Sequence, residues 1–431
     1  MLPMYPEVRA PSRATAERAG PDADELFRLA RKRMAPGLVL AQKLTGRNAI
    51  EASADGVTVT LSDGRRLLDF GSYGVTLLGH RNPAVVAAVQ EQLTTLPSST
   101  RVLANAAAPL LSERLIELTG QPSLTRVWLG QNGTDAVEAA LKFARLATGR
   151  RKVVALAGGF HGKSLGALSV TSGPRYRRDL EPLLTPGVHL AADLAEAELL
   201  VARPDVAALI VEPIQGEGGI RPLDAAGLRR AVDAAKAAGV FVISDEVQVG
   251  LRRCGEVSLA VSAGLAPDAI LYGKHLGGGL MPVSAVVCSR AMFAAMMADP
   301  FVHTATFSGH PLGCAAALAA LTEIESRAEH GARLSDRVHD GLDGLAARWP
   351  TIVTGVRGRG LAWALDFVDD ETAGRVFADL SANGLIVSPC LGRPEALRLL
   401  PPIVADDADV ERAVAIFDET IAQVVAEGVN R

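Results

Sequence analysis

The sequence predicts an α/β fold, with a large domain built around a mostly parallel sheet and a smaller α+β domain formed from both chain ends. Two observations predict it. Short apolar runs at 153–156, 206–211, 240–244 and 269–271 lack polar alternation, as strands buried on both faces do. Helical stretches lie between successive runs, among them 225–238 with Asp224 placed to cap it, and that alternation produces parallel strands.

The elements follow in order. An opening helix is expected at 22–35, capped by Asp22, spaced by Leu26, Leu29 and Ala30, and stopped by Pro36. Strands at 56–61 and 67–70 flank the turn Ser62-Asp63-Gly64 and read as a small antiparallel unit. Helices are expected at 83–93 and 136–147. A long Ala-rich helix at 312–328 ends near His330-Gly331, and β runs follow at 361–367 and 397–399. Residues 1–75 are assigned to the small domain, 76–315 to the large domain and 316–431 to the small domain again. No low-complexity linker or internal repeat marks the boundaries.

Composition narrows the function. Hydrophobic residues make up 48% of the 431, aromatics 4%, charged residues 21%, and mean hydropathy is +0.21, as in a globular protein. A net charge of -4 and few aromatics offer nothing to nucleic acid or anionic lipid. Pro3, Pro6, Glu7 and Arg9 interrupt any leader or anchor, and no stretch of about 18 apolar residues follows, so a cytoplasmic protein is expected. Cys254, Cys288, Cys314 and Cys390 form no paired motif and read as free thiols. The histidines, His303 and His310 included, lack metal-ligand spacing, so no metal is expected.

In parallel sheets chemistry collects at the carboxyl ends of strands. The run VFVISDEVQVG places Asp245 there, where a buried carboxylate demands a cationic partner. DAILYGKHLGGG places Lys274, one of seven lysines, in the same topological position, the setting for a desolvated, nucleophilic amine. Gly277, Gly278 and Gly279 then permit close approach of backbone to a ligand. Taken alone, the two residues also fit a structural ion pair. The turn Asn132-Gly133-Thr134 leads from a strand into a helix and offers N–H groups to a phosphate, although a simple capping turn has the same form. Phe160, in AGGFHGKSLG, can cover a flat ring. Phosphate cradle, ring cover, carboxylate and amine together describe pyridoxal 5′-phosphate.

Seven segments between about Asp69 and Pro402 then carry a resemblance: GH..P, NGTDA.EAA.K.AR, FHG, EPIQGEGG, DEVQ.G, GK.LGGG..PVSA and H...F.G.PLGC. With these the chain resembles the class III aminotransferases of fold-type I pyridoxal phosphate enzymes, most closely the ornithine and acetylornithine branch. The resemblance implies Lys274 as Schiff-base and proton-transfer residue and Asp245 as partner of the pyridinium nitrogen. It implies Val247 and Phe160 around the ring, His161 beside it in the FHG motif, and Gln248 at the phenolic oxygen. Gly133 and Thr134 would hold the phosphate, joined by Thr306 from the neighbouring subunit of a homodimer. On the substrate side it implies Tyr73 and Lys163 in the pocket, and Glu217 with Arg398 as a switch that admits a substrate carboxylate or closes against one. The expected substrates are L-glutamate or 2-oxoglutarate and a small ω-amino or carbonyl compound.

Three departures stand out: Lys163 where that branch carries arginine, Arg252 and Cys254 in GLRRCG, and His310 where asparagine is usual. Gly162-Lys163-Ser164-Leu165-Gly166 also fits the nucleophile elbow of a serine hydrolase, but Ser164 follows its strand only after a loop. Aminomutase, racemase and decarboxylase chemistry on the same fold are the nearer alternatives. A mutase or racemase, however, needs no switch for a second substrate.

Overall fold

The computed structural model describes residues 22–429, so the leader reading at Pro3 to Arg9 lies outside the described residues. Seven strands form the central sheet in the order Leu124–Gly130, Ser284–Ser289, Ala269–Tyr272, Phe241–Asp245, Val206–Val211, Lys152–Leu156, Val188–Ala191. Neighbours are parallel except Ser284–Ser289, which is antiparallel to both of its partners. The four apolar runs expected as strands thus occupy four adjacent places.

Their unbroken apolarity has a direct cause. Val153, Ala155, Ala208, Ile210 and Ile243 pack with helix Gly133–Thr148 on one face. Val154, Leu156, Leu209, Val211 and Val242 pack with helix Ala225–Ala237 on the other. With no wet face, alternation has nothing to encode.

Helix starts follow local chemistry. Asp224 accepts from Gly227 N at 2.6 Å, as expected, and Asn82 accepts from Ala84 N and Val85 N at the start of Pro83–Thr95. Asp22 occupies the position before Ala23–Arg33 but makes no side-chain cap bond. Pro36 does more than stop that helix: it opens the next, Pro36–Thr45, at the first-turn position proline favours. The long Ala-rich helix corrects the expected ending at His330-Gly331. It spans Pro311–Ser326 and breaks at Arg327, and a second helix, Ala328–Arg348, runs through both residues. His330 Nε2 lies 2.8 Å from Ala405 O, and a Cβ on Gly331 would lie 2.8 Å from Ile403 Cδ1. The pair therefore serves close packing rather than termination.

The antiparallel unit expected near the start is present as Glu51–Asp55, Thr58–Leu61 and Arg66–Asp69, and Leu385–Ile386 joins its edge parallel to Arg66–Asp69. A second four-stranded sheet holds Val353–Arg359, Ala362–Phe367, Arg393–Leu399 and Ser388–Cys390 in that order. One apolar cluster joins Leu68 and Phe70 to Phe367, Leu397 and Phe417. A smaller cluster joins Ala362, Ala364 and Leu400 to Ile214 and Val249, which follow two central strands, and so holds strand Arg393–Leu399 near the central sheet's carboxyl edge. Among the described residues no helix is long and apolar enough to cross a membrane.

Candidate active site

The carboxyl ends of the central strands open onto one cavity of about 200 Å³. Asn132, Gly133 and Thr134 close one end of it, at the start of helix Gly133–Thr148. A capping box fixes this turn: Asp135 N donates to Asn132 Oδ1 at 3.1 Å, while Asn132 N and Gln131 N donate to Asp135 Oδ2. The Gly133 and Thr134 N–H groups remain orphan donors at the positive end of a 16-residue helix. A Cβ on Gly133 would lie 2.8 Å from Val247 Cγ1, so glycine keeps the wall thin.

Asp245 ends strand Phe241–Asp245 and is buried. Its Oδ2 accepts from His161 Nδ1 at 2.7 Å, and its Oδ1 accepts from Val247 N at 3.2 Å. Burial disfavours the charged form of His161, but the hydrogen bond and charge of Asp245, with the charge of Glu212, outweigh it and raise the imidazole's pKa. Phe160 and Val247 both line the cavity.

Lys274 lies just past strand Ala269–Tyr272 with φ +45, and its Nζ donates to Gln248 Oε1. Burial, reinforced by the charge of Arg398, lowers its pKa from the usual lysine range to about 8. The ion pair Asp245–Lys274, considered from sequence, does not form: Asp245 pairs with His161. The glycines after Lys274 also need correction. Cβ atoms there would meet Val283, Val85 and the Val75 carbonyl, so Gly277, Gly278 and Gly279 permit packing against protein, not approach to a ligand.

Deeper in, Arg398 Nη1 donates to Glu217 Oε1 at 2.6 Å and to Gln248 Oε1 at 3.3 Å. The Arg398 side chain is fully buried, and its Nε and Nη2 have no partner. Glu217 is held in turn by Leu391 N at 3.1 Å.

Glu212 lines the cavity and escaped sequence reasoning. It follows the all-apolar strand Val206–Val211, the same positional signal that exposed Asp245 and Lys274. Its carboxylate accepts from Phe160 N and Gly216 N, and burial raises its pKa to about 7.

Four expected residues lie outside the lining. Arg398 stands behind Glu217; Tyr73 and Thr306 are exposed. Lys163 sits over the Tyr176 ring at 4.5 Å and the Phe160 ring at 5.8 Å, on the outer side of the wall. Tyr176, also unforeseen, keeps a buried hydroxyl without a partner. Among the remaining departures, Arg252 pairs with Glu325 at 2.8 Å and His310 meets Phe307 edge to face, both away from the cavity. Burial pushes the Cys254 thiol up to about 12. Ser164 donates to Glu138 rather than meeting a histidine, which removes the hydrolase alternative. No cluster able to hold a metal ion occurs among the described residues.

The family model for aminotransferase class III matches residues 42–421. The chain belongs to the class III aminotransferases. A putrescine aminotransferase from Pectobacterium atrosepticum is 37% identical over 369 residues, covering 82% of this chain and 78% of that one. The ornithine aminotransferase of Toxoplasma gondii ME49 superposes with a TM-score of 0.85 at 29% identity, covering 94% of this chain and 96% of that one. An aminotransferase of Vibrio fluvialis gives 0.84 at 26%, with 92% and 98% covered. This aminotransferase has the fold-type I architecture and transaminates a small amino substrate.

Pyridoxal phosphate is the cofactor of this class, and the residues present fit it. The orphan N–H groups of Gly133 and Thr134 suit a phosphate, and Gln248, which lines the cavity, has a buried Nε2 donor without a partner. Lys274 supplies a low-pKa amine.

The Glu217–Arg398 bridge makes a stability prediction. Arg398→Met leaves a buried carboxylate unpaired and costs about 3–5 kcal/mol, whereas adding Glu217→Gln recovers most of that loss. Thermal unfolding of both variants checks it; equal destabilisation by the single and double variants would contradict it.

Proposed function

We propose that this aminotransferase moves an amino group between L-glutamate and a diamine or ω-amino acid, in two half-reactions at one site. The observation that carries the reading is the Glu217–Arg398 bridge, whose arginine keeps Nε and Nη2 unpartnered in a fully buried setting. A guanidinium with free donors is prepared for the planar, two-point grip of a carboxylate. Glu217 neutralises it when a substrate without that carboxylate enters. The putrescine and ornithine specificities named for the relatives support the second substrate class.

Bound pyridoxal phosphate supplies the electron sink that stabilises negative charge on the amino-bearing carbon. Gly133 and Thr134 hold the phosphate at the helix start. Phe160 and Val247 would confine the ring, and Gln248 Nε2 would be the donor for its phenolic oxygen. Asp245, steadied by His161 and Val247 N, keeps a proton on the ring nitrogen. Lys274 Nζ is the amine that would hold the cofactor and, when free, would take the proton from the substrate carbon. Its lowered pKa places a useful fraction of neutral amine near neutral pH.

A homodimer is part of the same proposal. Arg101 Nη1 donates to Ala305 O and Ser308 O, tying two segments whose Val102, Leu103, Phe301 and Phe307 are all exposed. Thr306 lies in that apolar patch, suited to reach a neighbour's phosphate. Four buried free cysteines support a cytoplasmic setting.

Two outcomes follow. Arg398→Ala lowers kcat/KM for L-glutamate by roughly 10- to 100-fold, the worth of a charge-assisted pair, while the half-reaction with a monoamine stays within about threefold. Equal loss on both substrates contradicts the switch. Cofactor capture by apoprotein, trapped with borohydride and read by intact mass, increases as pH rises through about 8, because Lys274 sheds its proton there. Lys274→Ala traps none, and a midpoint at ordinary lysine pH contradicts the assignment.

A further inference from the structure

Three consecutive residues, Ser72, Tyr73 and Gly74, have φ of +41, +51 and +76. Two of them are not glycine, and a left-handed pair of L-residues persists only where its surroundings impose it. The turn's own bonds, Gly74 N to Gly71 O and Val75 N to Ser72 O, do not supply that force.

Two buried groups do, from opposite sides. On one side the fully buried Asp69 accepts from Gly71 N at 3.0 Å and from Ser72 Oγ at 2.5 Å, and it bonds His80 Nε2 at 2.8 Å. His80 is itself pinned through its backbone to Gly56, with N–O distances of 2.7 and 3.1 Å. On the other side the fully buried Arg253 has no carboxylate partner. Its guanidinium goes to backbone carbonyls: Pro401 O at 2.7 Å, Leu361 O at 3.1 Å and Gly74 O at 3.4 Å. A Cβ on Gly74 would lie 3.8 Å from Lys274 Cδ and 3.3 Å from Leu400 Cδ1. The turn therefore rests on the stem of the reactive lysine and beside the strand that carries Arg398.

We infer that Asp69, Ser72 and His80 on one side and Arg253 on the other form a latch that holds this left-handed turn against the Lys274 stem and so fixes where the exposed Tyr73 stands for an incoming amine substrate. All four are positioning residues. The inference rests on the reading of Tyr73 as a pocket residue and adds what places it there. Its effect falls on substrate binding, since none of the four touches the reacting atoms.

The test uses holoenzyme and whichever of putrescine, L-ornithine and L-glutamate it turns over fastest. Ser72→Ala, which removes the hydroxyl yet keeps a Cβ at positive φ, raises KM about tenfold with kcat within about twofold. Ser72→Gly, which also lacks the hydroxyl but adopts positive φ freely, restores KM to within about threefold of the parent. Tyr73→Ala raises KM as Ser72→Ala does, and the double variant Ser72→Ala/Tyr73→Ala is no worse than the poorer single. Equal KM for Ser72→Ala and Ser72→Gly, or no change in either, overturns the latch. If Tyr73→Ala raises KM while Ser72→Ala does not, the latch alone fails. If Tyr73→Ala leaves KM unchanged, the pocket role of Tyr73 fails and the latch with it.

Discussion

Burying Asp245 and Lys274 at the edge of a sheet covered on both faces sets the terms for everything around them. A carboxylate taken from water needs a cation and hydrogen-bond donors, and Asp245 obtains both from His161 and the Val247 N–H. Lys274, by contrast, receives no carboxylate. Its neighbours are Gln248 and the positive field of Arg398, and burial leaves its amine near a pKa of 8. One buried group is thus held by two donors while the other is an amine brought close to neutrality, the division of labour that carbon–hydrogen bond cleavage at an amine requires. Glu212, with a pKa raised to about 7, sits between these demands and fixes the Phe160 and Gly216 backbones.

Much of this was legible because strand ends are legible. Uninterrupted apolar runs located four neighbouring strands, and the polar residue after a run located Asp245 and Lys274. The same rule pointed at Glu212, which went unread because its motif offered no chemistry by itself. Other features have no signature in a short window. The antiparallel direction of Ser284–Ser289 depends on its neighbours, and the helix break falls at Arg327, a residue that is neither glycine nor proline. The glycines after Lys274 misled for a related reason: a missing side chain shows that something is close, not what it is.

The substrate side is assembled from distant parts of the chain. Glu217 and Arg398 stand 181 positions apart, and their meeting depends on strand Arg393–Leu399 being held in a separate sheet against the first. Family resemblance supplied that pairing, and geometry adds the two unpartnered donors that make it responsive. Lys163 stands over the Tyr176 and Phe160 rings, outside the cavity lining.

The central claim is that Lys274 holds the cofactor and that glutamate exchanges its amino group there. It is tested most directly by the absorption spectrum of the purified holoprotein, followed on adding L-glutamate and then 2-oxoglutarate. The account predicts a visible band that gives way to a near-ultraviolet band with glutamate and returns with 2-oxoglutarate. A visible band that glutamate leaves in place would contradict the glutamate half of the reaction, and no band after added pyridoxal phosphate would contradict the whole.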